Sequence, residues 1–345
     1  MTLIRAAKGP NPLVGWQLDI ASITRVGHSL QRPECILAER DGSLWVADAR
    51  GGVMWIRPDG SQQLITQAVD PHFDLQGNAR ESLLDGTLPN GLAFASNGDI
   101  IISNFGTDRL EIMSRSGETR ILLDSIDGAP IGKVNFVLRD SRDRMWVTVS
   151  TRNPRWDQAL NSVDADGYIL LVDDRGARIV ADGFHFTNEI RLDREEQWLY
   201  VAETTAKRVS RLRVSEDGSL SDREIYGPSS LGDGLIDGIT FDDYGNLWAT
   251  MIFADRLVAI TPDGDLLELS EDGDHEATRR FEEAFATGKA VDFDILMNAG
   301  GSLCRWLASV TFGGPDLKTA YLGGLRADSI PSFRSPVAGL PMVHW

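Results

Sequence analysis

Cysteine, positive charge and long apolar runs are all scarce in this sequence, and each shortage removes a class of protein. Only Cys35 and Cys304 occur in 345 residues, which excludes a disulfide framework and predicts two buried free thiols. Lys and Arg total 34 against 51 Asp and Glu, a net charge of −17. That balance argues against a nucleic-acid or anionic-membrane partner, since either needs a basic face. The acidity names no partner of its own; a solvated acidic surface accounts for it. No stretch approaches the ~20 apolar residues that span a bilayer. The N-terminal MTLIRAAKGPNPLVGW has no apolar core of signal-peptide length, so a cytoplasmic protein is expected. What remains is ordinary: 42% hydrophobic and 25% charged residues, in a chain long enough for a large core.

What the sequence does have is one hairpin written six times. ECILAERDGSLWVAD starts at Glu34, NGLAFASNGDIIISN at Asn90 and NFVLRDSRDRMWVTV at Asn135. NEIRLDREEQWLYVAE starts at Asn188, DGITFDDYGNLWATM at Asp237 and SVTFGGPDLKTAYLGG at Ser309. In the first, second and fifth, a glycine (Gly42, Gly98, Gly245) follows the leading polar residue at the same distance; the fourth and sixth are read with one extra turn residue. Further short apolar segments ending in turn signals, such as GVMWIRPDG and RLVAITPDG, lie between the hairpins. Six units of ~50 residues with four short strands each predict a radial all-β architecture, a six-bladed β-propeller forming a single domain over residues 1–345. The sixth unit is one strand short, and ASITRVG near the N-terminus is positioned to close the ring.

In such a ring the first strand of each blade lines the central channel. Glu34, Asn90, Asn135, Asn188, Asp237 and Ser309 therefore converge at one mouth, unless they are simply turn-forming residues that open strands. Two buried carboxylates facing one another need compensation. No Lys or Arg occupies this register, so a divalent cation is the simplest counter-charge. Glu34 and Asp237 supply charge; Asn135 and Asn188 supply neutral oxygens. An all-oxygen set suits a hard cation, Ca²⁺ before Mg²⁺, Mn²⁺ or Zn²⁺. Four protein ligands leave positions open for water and substrate, although an ion that merely plugs the channel is the alternative.

These residues carry a resemblance. RPECILAERDGSLWVAD, FTNEIRLDREEQWLYVAE, DGLIDGITFDDYGNLWATM and the FGGPDLKT run resemble the senescence marker protein / gluconolactonase / luciferin-regenerating enzyme family of metal-dependent propeller hydrolases. The resemblance implies hydrolysis of a lactone, or in some branches of an organophosphate, with Glu34, Asn188 and Asp237 as metal ligands. It implies that Asn135 helps to hold metal or substrate and that Asp237 is the general base. The third unit departs from the family pattern: Lys133 stands where an Arg is usual and Phe136 where an Asp is usual, which hints at a less hydroxylated substrate. His185 competes for the role of base because its ordinary pKa lies near 6.5, though a packed histidine is the better explanation and Asp237 keeps the role.

Asn90 is read as a substrate hydrogen-bonder or an extra ligand. Lys133 shares a strand face with Asn135, as a substrate contact or a solvated lysine. Arg152 and Trp156 lie in a long connection that either walls the pocket or is a surface insertion. A helical insertion is expected over about 271–300, with Asp274 as N-cap, Phe281 and Phe285 one turn apart and Gly288 at the exit. It serves as a lid or as the interface of a homo-oligomer. A second long connection, residues 69–89, approaches Asn90. Nothing in the pattern accounts for the final PVAGLPMVHW. The readings that stay open beside a lactonase are a phosphotriesterase at the same site and a propeller that binds a metal or small molecule without turnover.

Overall fold

In the computed structural model, which describes residues 9–67, 83 and 86–345, the alternating segments pair into six four-stranded antiparallel sheets. Their innermost strands are Ile36–Ala38, Pro89–Phe94, Val134–Arg139, Thr187–Leu192, Leu235–Phe241 and Leu307–Gly313. Each packs against the innermost strand of the next blade, and the sixth packs against the first, so the ring is closed. Closure comes from both parts of the chain that the sequence pointed to. Thr24–Val26 is the outer strand of blade 6, with Thr24 opposite Ser332 and Val26 opposite Ile330.

The six hairpins share one turn. The residue eight places after each leading polar residue has a left-handed backbone: Gly42, Gly98 and Gly245, and also Asp143, Glu196 and Leu317. In every blade its N–H donates to the carbonyl three residues back, for example Gly42 to Glu39 at 3.0 Å and Leu317 to Gly314 at 3.1 Å. Blade 4 does carry an extra residue beyond this point, since Leu192 pairs with Leu199. Blade 6 does not: Gly313 pairs with Thr319 just as Phe241 pairs with Leu247. A second repeated device fixes the tryptophans. Trp45, Trp146 and Trp248 are buried in the second strands, and each indole Nε1 donates to a carboxylate six residues earlier. The partners are Glu39 at 2.7 Å, Asp140 at 2.9 Å and Asp242 at 2.9 Å. An apolar ring with one satisfied polar tip is what a buried indole requires.

Blade 4 holds a buried charge cluster around Glu203, whose side chain is 0% exposed. It accepts from Ser210, from Arg208 at 3.1 Å, from Arg223 at 2.9 Å and from the His185 N–H at 3.2 Å. Burial alone would push this carboxyl up, but the hydroxyl and the two guanidinium groups outweigh it and hold it below its ordinary 4.5. Glu203→Gln is therefore expected to cost roughly 3 kcal/mol at pH 7, because two arginines lose their partner. A depressed native pKa contributes stability that is complete above 4.5 and lost as pH falls through the lower folded value. Urea unfolding of the two proteins should thus differ most at neutral pH and converge below about pH 4. A difference independent of pH would refute the assignment.

The expected insertion is present as the helices His275–Phe285 and Phe293–Asn298, with Asp274 capping the first by accepting from Ala277 N at 2.8 Å. Phe281 and Phe285 are buried within this chain, so the apolar face expected as an oligomer interface is already covered. The insertion is fastened at its exit by Asp255, which accepts from the backbone of Gly301, Trp306 and Leu307 at 2.7–3.1 Å. The C-terminal segment crosses the ring instead of trailing from it. Leu340 N donates to Phe241 O in blade 5, His344 Nε2 donates to Ala38 O in blade 1 at 3.0 Å, and Arg40 reaches the Trp345 carbonyl at 2.7 Å. Burial holds the His344 imidazole below its ordinary pKa. Residues 69–89, apart from Leu83 and residues 86–89, lie outside the described residues.

Candidate active site

The innermost strands are irregular where the polar residues stand. Strand register shifts between Pro89 and Leu92, Val134 and Phe136, Thr187 and Ile190, and Ile236 and Ile239. Asn90, Asn135, Asn188 and Asp237 fall inside these bulges, which re-aim a side chain out of the sheet and along the channel. The backbones behind them are in contact: a Cβ on Gly238, next to Asp237, would lie 2.5 Å from the Ala308 carbonyl. These four residues and Glu34 line one cavity of about 40 Å³. These residues are 2–5% exposed.

Arg32 shares this floor from outside the ring register, two residues before Glu34. Its guanidinium lies 3.0 Å from Glu34 Oε2 and donates to Asn90 Oδ1 at 2.7 Å. A tight turn brings the two together, with the Glu34 N–H donating to the Arg32 carbonyl at 2.8 Å. The backbone carries strain here, since Arg32 has φ 56° although it precedes a proline. Asn90 is a tie rod: its Oδ1 accepts from Arg32 and its Nδ2 donates to Asn135, at 3.0 Å to the backbone carbonyl and 3.3 Å to Oδ1.

The electrostatics follow from burial. Asp237 is pushed well above its ordinary range by desolvation, then by Glu34 and Glu189, with Asn188 and Arg32 opposing. Glu34 is raised by burial, with Arg32 and Asn90 acting against it. Beneath them Glu189, paired with Arg191 at 2.9 Å, is raised by burial to about 7. At the floor Asn188 Oδ1 is buried without a hydrogen-bond donor, while Glu34 Oε2 has the Arg32 guanidinium beside it at 3.0 Å. Among the described residues no three His, Cys, Asp or Glu side chains cluster as a metal site, so any cation here depends on amide oxygens as well as carboxylates. Two carboxylates and two amides, with the undonated oxygen of Asn188 among them, fit a hard divalent cation.

The SMP-30/Gluconolactonase/LRE-like region profile matches residues 32–272, more than half of the chain and all the way from Arg32 to beyond Asp237. The chain belongs to this family. A 6-deoxy-6-sulfogluconolactonase of Pseudomonas putida is 25% identical over 162 residues, a match spanning 46% of this chain and 45% of that protein. Among solved structures, a luciferin-regenerating enzyme superposes with TM-score 0.68 at 14% identity, covering 93% of this chain and 98% of that one. Regucalcin of Agrobacterium tumefaciens, described as a calcium-binding protein, superposes with TM-score 0.65 at 13% identity, covering 92% and 95%. Both structures share the propeller fold.

In this SMP-30/gluconolactonase/LRE-like chain the remaining expected residues divide. Trp156 lines the cavity from a short 3₁₀ turn, its Nε1 donating to Leu83 O at 3.0 Å. Lys133 is outside the lining, its ammonium 2.9 Å from Asp108 Oδ1. Arg152 is also outside, its guanidinium stacked 4.3 Å from the Tyr168 ring centroid. His185 is outside as well, half-buried, with its backbone N–H on Glu203. Phe136, read as a hint about substrate, is core: it is 1% exposed and lies under Arg191 at 4.6 Å. Ser309 Oγ donates to the Glu34 carbonyl and is not part of the lining.

The sequence reading missed the wall. Phe105, Leu160, Phe186, Ile252, Phe253, Trp306 and Leu325 surround the polar floor. A usable signal existed: Phe105, Thr204, Phe253 and Leu325 each directly follow the second strand of their blade, and all four reach the cavity. Phe186, Phe253 and Trp306 have φ of 55°, 73° and 57°. For bulky side chains this conformation costs on the order of 1–3 kcal/mol each, a cost that the surrounding packing offsets. No helix among the described residues is long and apolar enough to cross a membrane.

Proposed function

We propose that this protein is a metal-dependent hydrolase that opens a lactone ring. The observation that carries the reading is the floor of the cavity, where Glu34, Asp237 and the undonated oxygen of Asn188 meet in a buried site open to a small molecule. The family and its lactonase relative support it. Glu34, Asn188 and Asp237 would hold the cation, with Asn135 beside them. Ca²⁺ is favoured because every donor is an oxygen. Such a cation, when bound, supplies a Lewis acid for the carbonyl oxygen.

The chain's own groups do the rest. Asp237 takes a proton from the attacking water as the new carbon–oxygen bond forms, and returns it to the ring oxygen as the ester bond breaks. The product is a hydroxy acid. Arg32 Nε, buried without an acceptor, faces the developing negative charge and is suited to stabilise it. The aromatic wall excludes bulk water, which strengthens each of these interactions.

A pH-indicator assay of the purified protein on a lactone panel, with chelator and then with restored Ca²⁺, Mn²⁺ or Zn²⁺, tests the reading. Acid release that the metal restores supports it. Silence across the panel with metal bound refutes it in favour of another hydrolysis or of binding alone.

Arg32 yields a separate prediction. Its positive charge, 3.0 Å from Glu34, opposes a cation at the same carboxylate. Arg32→Met is expected to tighten Ca²⁺ binding about tenfold or more by titration calorimetry, while lowering turnover through the lost donor. Unchanged or weaker Ca²⁺ binding would show that this charge does not compete.

A further inference from the structure

The cavity lining combines two chemistries. Its described polar groups are the leading residues of blades 1 to 5, together with Arg32 and Thr204. The rest of the described lining, its wall, is carbon: Phe105, Trp156, Phe186, Phe253 and Trp306, with aliphatic side chains. The wall's two indole N–H groups are already committed, Trp156 to Leu83 O and Trp306 to Leu296 O and Ala299 O. The wall is also held rigidly. Phe253 packs edge-on against Trp306, with ring centroids 5.0 Å apart, and lies 4.9 Å from Phe281 of the insertion. Three of its aromatic residues are kept in left-handed backbone conformations by their surroundings.

We infer that the substrate is a lactone bearing an apolar substituent, alkyl or aryl, and not a polyhydroxylated sugar lactone. This rests on the hydrolase reading of the same site. The floor offers partners for one ester group, whereas a hydroxyl carried up the wall would lose its water and find no side-chain hydrogen-bond partner among the described wall residues. A substituent of carbon gains in the same place, by about fourfold in affinity for each methylene removed from water.

The test uses the native protein with Ca²⁺ and two matched series. One is γ- and δ-lactones with alkyl chains of increasing length, together with glucono-δ-lactone, read as kcat/KM. The other is the corresponding alkyl lactams, which resist hydrolysis, read as Kd by quenching of tryptophan fluorescence. The expected result is a rise in kcat/KM of about fourfold per methylene until the cavity is full, a parallel fall in lactam Kd, and glucono-δ-lactone at least 100-fold behind the best alkyl lactone. If no lactone is hydrolysed but lactam affinity still climbs with chain length, the hydrolase reading fails and the apolar ligand class stands. Flat lactam affinities, or glucono-δ-lactone matching the alkyl lactones, overturn the inference.

Discussion

Asp237→Asn is expected to lower kcat on the best lactone by about a thousandfold or more while the protein stays folded. The side chain is 4% exposed, stands inside a bulge of the innermost strand of blade 5, and faces Glu34 across the cavity floor. The amide keeps the shape and one oxygen, but it can neither accept the water proton nor add charge to the cation site. Ca²⁺ affinity should fall with activity, because one of the two carboxylates is gone. Chelator-treated variant should melt no lower than chelator-treated native protein, since two buried acids no longer repel each other. Functional groups that oppose stability in this way are common at active sites. Turnover within tenfold of native would sink the assignment, as would Asp237→Ala retaining both Ca²⁺ binding and activity.

Trp146→Ala is expected to be the most damaging single change to the fold, at about 4 kcal/mol. The indole is completely buried in the second strand of blade 3 and donates to Asp140 Oδ2, which also pairs with Arg144 at 2.7 Å. Truncation opens a cavity and removes one of the donors on a buried carboxylate. Against a total stability of roughly 5–15 kcal/mol, that is enough to populate unfolded protein at physiological temperature. Trp146→Phe keeps most of the volume and should cost about half as much. Urea unfolding of both variants checks the order; a loss below about 1 kcal/mol for the alanine variant would mean that neighbouring side chains collapse into the space.

The amino-acid pattern alone was sufficient for the six blades, the closing strand and five of the six leading residues, Ser309 excepted, that line the cavity. Strand faces alternate with period two, and the turn eight residues after each leading polar residue needs a left-handed backbone that Gly42, Gly98 and Gly245 advertise. Both are set by a residue's nearest neighbours, so a single sequence displays them. The same turn is made by Asp143, Glu196 and Leu317, where no glycine marks it, and the register of blade 6 was misjudged for that reason.

What only the tertiary structure decided is where side chains point once distant segments meet. Lys133 and Asn135 have the spacing of Arg32 and Glu34, yet Lys133 turns to Asp108 while Arg32 turns into the site. The deciding groups, Asp108 for one and Asn90 for the other, come from blade 2 and reach these residues only when the ring closes. The apolar wall has the same origin. It draws on loops of blades 2 to 6 and on Trp306 at the end of the insertion, which share no local pattern. The C-terminal segment gains its meaning by pairing with strands laid down in blades 1 and 5. Local sterics write strands and turns into neighbouring residues, whereas the chemistry of a propeller mouth is assembled from all around the ring.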